Sequence, residues 1–425
     1  MGWPETDRLP GPARRQGFSL QPGRCRFARP LPFVVRMPLL EVTTARLARE
    51  FIALPARLHA GVPQYIGPLE NEVEVVFDPI KNPKFANGEA IRWVLTDAAG
   101  TTIGRVAAFF NRDAPDVQNP DLPTGGLGFF ECIDDQAAAN RLFEAGRQWL
   151  AARGLQAMDG PINFGERDRF WGLLIDGFDR PPNYGMFWHP PYYQALFEQY
   201  GFQLYFKQYT CYRTTAAPLH ARFAQQAEGH AAEFRFAHAR KADAEKLAYD
   251  FHHVYNLAWA KHGGVKPMTL AQARNIVKEM KPVVDERLLW FAYHGSEPVA
   301  FFISLPELNQ IFRHVGRRLN LWGKLRFLVA RWRFMRRSDK RLFGIIYGVV
   351  PEYQGKGVDA AMLVYARQAF IDAGYADIEM NWIGDFNPRM LVTIRSIGAT
   401  ILKTHATYRY LFDREREFER MPIIR

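Results

Sequence analysis

The sequence predicts an α/β (α+β) protein made of two similar halves, each a mixed, mostly antiparallel sheet flanked by helices. A short apolar run, a glycine-containing loop and an amphipathic stretch follow one another in residues 342–375, which indicates strand, loop and helix. The order of elements before this stretch, a helix, antiparallel strands, then a strand and a helix, also occurs in the first half of the chain. No strict period accompanies it, so the likeness of the halves is a structural inference.

The composition is that of a globular protein. The 425 residues are 48% hydrophobic and 14% aromatic, enough for two domains with sizeable cores. Cys25, Cys132 and Cys211 are widely spaced, which favours buried thiols in a reducing compartment and predicts no metal site. No apolar run approaches the ~20 residues of a spanning helix. The sequence therefore predicts a soluble or peripheral protein.

The net charge of +11 is unevenly distributed. Residues 1–36 carry +5 and residues 305–341 carry +9, so the rest of the chain carries −3. Residues 1–36 are rich in Pro, Gly and Arg, and we expect a disordered basic tail there. We favour Met37 over Met1 as the natural start.

Hydrophobic patterns predict the elements of both halves. In the first half they predict a helix within 43–59, strands Ile91–Thr96, Thr102–Phe109 and Gly126–Cys132, and a helix Ala137–Arg153. In the second they predict strand Phe234–Ala237, a helix within Ala242–His262, helix Leu270–Met280, and strands Leu288–Tyr293, Val299–Leu305, Ile345–Val350, Asp377–Ile383 and Thr400–Phe412.

The loop Gln354-Gly355-Lys356-Gly357 lies between a predicted strand and a predicted helix that ends at Gly374. Glycines let backbone N–H groups turn inward, and the start of a helix carries a partial positive charge. The three elements together predict an anion site.

The sequence motif V-x-P-E-Y-Q-G-K-G resembles the acyl-CoA-binding signature of the GNAT N-acyltransferase superfamily. Gln354 and Gly357 fill two signature positions, and Asp359 stands at the third, where the family has Gly or Ala. The resemblance implies that the backbone N–H of Val349 or Val350 holds the acyl carbonyl. It implies acyl-CoA or an acyl carrier protein as co-substrate, with no tightly bound cofactor. The donor-binding residues would be Val349, Val350, Gln354, Gly355, Lys356, Gly357, Val358 and Asp359.

Acyl transfer to an amine also needs a base and an acid. Alternation places Glu379 in the middle of a strand otherwise suited to burial, and we expect burial to raise its pKa toward that of a useful base. A pairing with a basic residue is the alternative interpretation. Asn387, like Asp385, is either a helix cap or a group that orients the acceptor. Superfamily members commonly use a tyrosine as acid, and Tyr408 is the candidate here.

The first half lacks a glycine loop. Asp134-Asp135 follows its strand Gly126–Cys132, and carboxylates there suit a helix cap but exclude a phosphate. We expect this half to bind no thioester. The aromatic sequel, residues 160–202, holds too much Pro and Gly for regular structure. It is interpreted either as packing between the halves or as a wall of the acceptor pocket.

The stretch 306–341 is a basic insertion. In a helix 321–337, an apolar arc forms with arginines and lysines beside it, while Phe327 and Phe334 point the other way; the arc consists of Leu321, Leu325, Leu328, Val329, Trp332 and Met335. This pattern is typical of a helix that lies in a bilayer interface. Packing on the protein with a solvated basic rim, and nucleic-acid binding, are the alternatives.

The combination of P-E-L-N-Q before this insertion with E-M-N-W-I-x-D-F-N resembles a bacterial double-GNAT family that includes bacterial ceramide synthases. It covers most of the chain from Met37 onward. The resemblance implies a degenerate GNAT-like domain 37–215 and a catalytic GNAT domain 230–425. The implied activity is N-acylation of a sphingoid base at the inner face of the cytoplasmic membrane. The alternatives are a Fem-like aminoacyltransferase or another small-amine N-acetyltransferase, and a non-enzymatic protein that senses acyl-CoA or binds nucleic acid.

Overall fold

Strands from both halves of the chain join in one sheet. The computed structural model describes residues 37–112, 121–230, 232–259 and 267–424, and the predicted basic tail 1–36 lies outside them. The chain from Met37 onward forms one compact unit.

The first half begins with a short strand and two helices, which precede a strand meander. Its elements are β1 (Leu39–Glu41), α1 (Ala45–Leu58), α2 (Glu70–Val76), β2 (Gly88–Thr96), β3 (Thr102–Asn111), β4 (Thr124–Cys132), α3 (Gln136–Ala151), β5 (Ala157–Gly160), β6 (Leu173–Asp176), α4 (Tyr192–Tyr200) and β7 (Gln203–Thr214).

The second half repeats this order after a linking helix. Its elements are α5 (Ala221–His230), β8 (Phe234–His238), α6 (Ala244–Trp259), α7 (Leu270–Met280), β9 (Leu289–His294), β10 (Glu297–Pro306), α8 (Asn309–Phe312), α9 (Leu321–Met335), β11 (Lys340–Val349), α10 (Val358–Asp372), β12 (Tyr375–Gly384), α11 (Pro388–Ser396) and β13 (Thr400–Leu411).

The order of the thirteen strands in the described residues is β1-β2-β3-β4-β5-β13-β7-β12-β11-β10-β9-β8, and β6 pairs with β13. Each half therefore gives its last strand to the other half. β13 pairs with β5 of the first half, and β7 pairs with β12 of the second. The two exchanged strands are also antiparallel neighbours. The predicted fold class is confirmed, whereas the domain limits 37–215 and 230–425 stay a prediction.

Local signals explain several helix ends. Asp135 is the N-cap of α3 and its side chain accepts a hydrogen bond from the Ala138 N–H, as expected for a capping carboxylate. Thr269 and Gln272 form a capping box at the start of α7. Gly374, with φ 77°, follows α10, where a left-handed residue ends a helix.

The expectation that residues 160–202 lack regular structure is wrong in two places. They contain β6 and α4. Pro191 stands at the N-cap of α4, where its missing N–H removes no helix bond, and Gly201 ends the helix with φ 109°. Pro and Gly here mark the ends of an element and not its absence.

Each half has its own apolar core beside the sheet. In the first half α3 and α4 pack on β3, β4 and β13. The aromatic rings of this core include Phe130 of β4, Phe143 of α3 and Phe197 of α4. In the second half α10, α8 and α9 cover one face of β10 and β11, and α6 covers the other. The thiols of Cys132 and Cys211 are free and buried, as predicted.

Candidate active site

A cleft opens between β11 and β12. The two strands pair in parallel from their starts up to Gly344, opposite Met380, and the paired stretch ends there. At the same point Ile345 is an extra residue relative to β10. A bulge bends its strand, so Ile345 turns the end of β11 away from β12. The separated strand ends form the walls of the cleft.

The end of β11 supplies backbone groups at this cleft. The Val350 N–H donates to the Val299 carbonyl at 2.9 Å, so it is already used. Because N–H groups alternate between the two edges of a strand, the Val349 N–H faces β12 and the cleft. Of the two predicted oxyanion donors, the geometry supports Val349 and not Val350. The Gln354 side chain donates to the Val349 carbonyl at 2.9 Å and ties the loop to the strand.

The glycine loop leads directly into α10. Gly355 has φ 72° and Gly357 has φ 84°, a left-handed conformation that glycine adopts without steric cost. Gly357 is the N-cap, and it provides no side-chain hydrogen bond to the first turn. The start of α10 thus combines N–H groups and a helix dipole beside the cleft, as an anion site requires.

Asp359 lies in the first turn of α10, beside the half-buried Tyr347. Burial and the nearby Asp359 carboxylate hold the pKa of Tyr347 well above its usual value. Asp359, which departs from the family signature, therefore interacts with Tyr347 of β11. Val358, the preceding residue, is fully buried in the core.

The helix α5 lies against this loop. The imidazole Nε2 of His230 is 2.7 Å from the Lys356 carbonyl oxygen. A Cβ atom at position 357 would come within 2.7 Å of the Gln226 side chain. Sequence analysis did not single out α5, because its contact with the loop depends on the tertiary fold. The side chains of Gln226 and His230 therefore lie beside the predicted anion site.

Glu379 is buried in a network of charges on the face of β12 opposite α10. Its carboxylate accepts a hydrogen bond from Asn183 at 2.6 Å and one from Lys403 at 2.7 Å, and it pairs with Arg341. Burial alone raises the pKa of Glu379, but the charges of Lys403 and Arg341 outweigh it and bring the pKa below its usual value. The expected rise in pKa is therefore wrong, and the pairing with basic residues is observed.

A second buried carboxylate, Glu307, lies near this network. It follows β10, and its oxygens accept hydrogen bonds from the backbone N–H groups of Tyr184 and Gln310. Burial raises the pKa of Glu307 to about 7, and the neighbouring charge of Glu379 adds to the shift. Sequence analysis missed this residue, although it belongs to the P-E-L-N-Q motif.

Residues 178–186 of the first half pack over these carboxylates. Asn183 reaches Glu379, the Tyr184 N–H reaches Glu307, and the Pro181 carbonyl accepts from Lys403 at 3.0 Å. The segment joins the two halves, which was one of its two predicted interpretations. Its position over Glu379 is also compatible with the other, a wall of the acceptor pocket.

Tyr408 lies away from the cleft. Because β13 is exchanged into the first half, Tyr408 pairs with Gly160 of β5, and its hydroxyl donates to Glu198 at 3.0 Å. Its ring packs on Phe197 in the first core. The structure does not bring Tyr408 to the other candidates, so the acid role inferred for it finds no geometric support.

Asn387 acts as the N-cap of α11, and its side chain accepts a hydrogen bond from the Met390 N–H at 3.1 Å. This is one of its two predicted roles. Asp385 pairs with Arg420 at 2.5 Å. Neither side chain contacts Glu379.

The helix α9 presents its apolar arc outward, as the pattern predicts. Leu321 is 82% exposed, Trp322 71%, Leu328 61% and Trp332 54%. Phe334 is buried and Phe327 packs on the second core, in agreement with their predicted direction. Met335 differs from the prediction, since it packs on the same core because it lies at the end of the helix next to β11.

The described residues contain neither a helix suited to cross a bilayer nor a cluster of metal ligands. No helix among them combines the length and apolar character needed to cross a bilayer. No group of three or more His, Cys, Asp or Glu side chains within the described ranges is arranged to hold a metal ion.

Comparison with known proteins identifies relatives along most of the chain. The chain is 29% identical over 380 residues to the bacterial ceramide synthase of Caulobacter vibrioides, which covers 88% of this chain and 97% of that protein. It is 27% identical over 368 residues to protein YghO of Escherichia coli, covering 85% and 92% respectively. No family model matches the chain.

Solved structures show the same architecture. A tandem GNAT protein from the clavulanic acid biosynthesis pathway superposes with a TM-score of 0.50 at 8% sequence identity, covering 89% of this chain and 99% of that one. This likeness shows a tandem GNAT fold, and the relatives that span most of the chain support the resemblance to the double-GNAT group that includes bacterial ceramide synthases, and with it an N-acyltransferase activity.

Proposed function

We propose that the second half transfers a long acyl chain to the amine of a sphingoid base, as a bacterial ceramide synthase does. The observation that carries this proposal is the cleft beyond Gly344 and Met380, which opens beside the glycine-capped start of α10. A thioester fits between separated strands, and its phosphate fits at a helix start. The similarity to the Caulobacter protein supports the choice of acceptor.

The donor is acyl-CoA or an acyl carrier protein, both of which present a thioester on a phosphopantetheine arm. In this proposal the arm lies in the cleft, with the acyl carbonyl against the Val349 N–H. The phosphate lies at Gly355 and Gly357, between the start of α10 and the side chains of Gln226 and His230. The hydrogen bond from the Val349 N–H stabilises the oxyanion that develops on the acyl carbonyl during attack.

The acceptor amine attacks the thioester carbonyl, and the C–S bond breaks. Glu379 accepts the amine proton, directly or through a water. The leaving thiolate takes a proton from solvent water, and Glu379 later returns its proton to solvent. Glu379 is ionised at neutral pH, as a proton acceptor must be, although its lowered pKa makes it a weak base. Glu307, with a pKa of about 7, is the second candidate base because its pKa matches the working pH more closely.

A long-chain amine resides in a bilayer, and the outward face of α9 suits that location. Its exposed arc carries leucines and tryptophans, and basic residues of the same helix flank the arc. Apolar side chains with arginines beside them favour the surface of an anionic membrane. We therefore propose that the protein acts peripherally at the inner face of the cytoplasmic membrane.

The test is an acylation assay with the purified chain and a panel of substrates. A long-chain acyl-CoA and the corresponding acyl carrier protein are each offered with sphinganine, with a short-chain amine and with no acceptor. The proposal predicts an amide of sphinganine as the main product. Equal use of the short-chain amine would favour a small-amine acyltransferase, and acyl-CoA binding without any amide would favour a sensing protein.

A further inference from the structure

A cavity of about 390 Å³ lies at the start of α9, separate from the cleft. Its lining includes Arg317, Arg318, Arg326, Glu70, Asn320 and Trp322. Three guanidinium groups thus face one carboxylate, so the cavity is positively charged. A charged concave surface of this kind suits an anion with several acceptor oxygens.

The first half holds the rim of this cavity in place. The backbone N–H of Glu70, at the start of α2, donates to the Arg317 carbonyl at 2.8 Å. The Glu70 carboxylate forms an ion pair with the Nε of Arg317 at 3.0 Å and accepts a hydrogen bond from the Nε of Arg318. The site is therefore built by side chains from two distant parts of the chain.

Arg326 completes the positive side of the cavity. It is exposed on α9, and within the described ranges it has no ion-pair partner. It lies one turn after Trp322, and an atom of its guanidinium would be 3.8 Å from a Cβ at Gly316 on the opposite rim. A positive charge without a counter-charge adds to the attraction for an external anion.

From this arrangement we infer that the cavity binds the headgroup phosphate of an anionic phospholipid. The inference rests on the proposed membrane contact of α9, and it deepens that contact by naming a ligand. Trp322 lines the cavity and is itself exposed at the edge of the arc, next to Leu321. When the arc enters the acyl boundary, the cavity lies at headgroup depth, where tryptophans are enriched.

Other anions fit the cavity and its surroundings less well. A nucleic acid would engage exposed basic residues along a backbone and would not need a continuous leucine-containing arc. An acidic carrier protein would dock near the glycine loop. The C-terminal part of α9 packs near Tyr375, at the start of β12, whereas the cleft opens toward the end of that strand. The combination of a phosphate cavity with adjacent exposed apolar side chains favours a lipid.

The test compares Arg326→Gln with Arg333→Gln. Both substitutions remove one positive charge from an exposed arginine of α9, but only Arg326 lines the cavity. Sedimentation is measured with vesicles of phosphatidylcholine and with vesicles that contain a minority of phosphatidylglycerol. Diffuse attraction predicts a loss of about fivefold in affinity for the anionic vesicles in either variant. If the cavity binds the headgroup, Arg326→Gln alone should lose roughly twentyfold or more in affinity for the anionic vesicles, because a charge-assisted contact is lost as well.

Each other outcome would overturn the inference. Equal losses in the two variants would leave only diffuse attraction. Binding of inorganic phosphate that is lost in Arg326→Gln, while binding to the anionic vesicles is unchanged, would reassign the cavity to a free phosphate, and RNA binding without vesicle binding would reassign it to nucleic acid. Amide formation with a detergent-dispersed acceptor, measured on the same samples, should be unchanged in Arg326→Gln. A failure of that assay in the unmodified protein would instead count against the proposed function.

Discussion

Two buried carboxylates near each other carry opposite pKa shifts, and their partners explain the difference. Lys403 and Arg341 lower the pKa of Glu379, although burial acts in the other direction. Glu307 accepts backbone hydrogen bonds, but among the described residues it has no ion-pair partner, so burial dominates and raises its pKa to about 7. At neutral pH Glu379 is ionised and Glu307 is partly protonated.

Glu307 predicts a pH dependence of stability. Its pKa of 4.5 in the unfolded chain rises to about 7 in the fold, so the folded state binds more protons in this window. The stabilisation that protonated Glu307 contributes at low pH is therefore lost as the pH rises from about 4.5 through 7. Between pH 5 and pH 8, the unfolding free energy of the unmodified protein should fall by roughly 2–3 kcal/mol relative to Glu307→Gln. Denaturant unfolding at the two pH values measures this, with the exposed Glu352→Gln as control. Parallel pH profiles for the protein and Glu307→Gln would show that Glu307 titrates normally.

The charge state of Glu379 illustrates the limit of sequence reasoning at this scale. Strand alternation correctly predicted that Glu379 is buried, since it depends only on neighbours in the chain. Its pKa depends on Asn183 and Lys403, which come from the other half and from the last strand. No local pattern brings those positions together.

At the scale of elements, the loop before α10 predicts unequal effects for two similar glycines. Gly355→Ala and Gly357→Ala both place a Cβ on a left-handed residue, which costs about 1–2 kcal/mol. Only the Cβ at position 357 meets Gln226; at position 355 nothing lies within 4 Å. Gly357→Ala should weaken donor binding by tenfold or more, and Gly355→Ala by much less, in direct titration with acyl-CoA. The double variant Gly357→Ala/Gln226→Ala should recover part of the loss. Equal effects would mean that the start of α10 does not form the donor site.

A single negative charge placed in the exposed arc of α9 should weaken binding to membranes. Trp332→Glu places a carboxylate in the exposed arc and removes the ring that lies under the Arg336 guanidinium. Binding to phosphatidylcholine–phosphatidylglycerol vesicles should fall at least tenfold, and high salt should weaken binding by the unmodified protein. Val392→Glu, on the exposed side of α11, serves as the matched control and should bind normally. Unchanged sedimentation of Trp332→Glu would remove the membrane role of α9.

Elements with a clear period were predictable, and those marked by proline and glycine were less so. The outward face of α9 follows from helical spacing alone, and the structure confirms it. In contrast, α4 lies within a stretch rich in Pro and Gly, and its start at Pro191 resembles a loop in sequence. The bulge at Ile345 carries no sequence signal, because register depends on the neighbouring strand.

At the scale of the whole molecule, the exchange of β7 and β13 makes each half depend on the other. The exchange places Tyr408 in the first core and Lys403 beside Glu379. It also brings residues 178–186 of the first half over the carboxylates of the second. The sequence predicted two similar halves correctly, but strand pairing over such distances has no local signature. The assignment of Tyr408 to the cleft failed for this reason.

We propose that the cleft of the second half transfers an acyl group to a long-chain amine with the help of Glu379. The initial rate of amide formation from a long-chain acyl donor and sphinganine, measured beside donor affinity in three proteins, tests this proposal. They are the unmodified chain, Glu379→Gln, and Asp377→Asn, which changes the same kind of group on the same strand and also pairs with Arg341. We predict amide formation by the unmodified chain, a rate near normal for Asp377→Asn, and a fall in kcat of roughly 10²–10⁴ for Glu379→Gln with donor affinity retained. No amide from the unmodified chain with either acyl-CoA or acyl carrier protein, or a normal rate for Glu379→Gln, would contradict the claim.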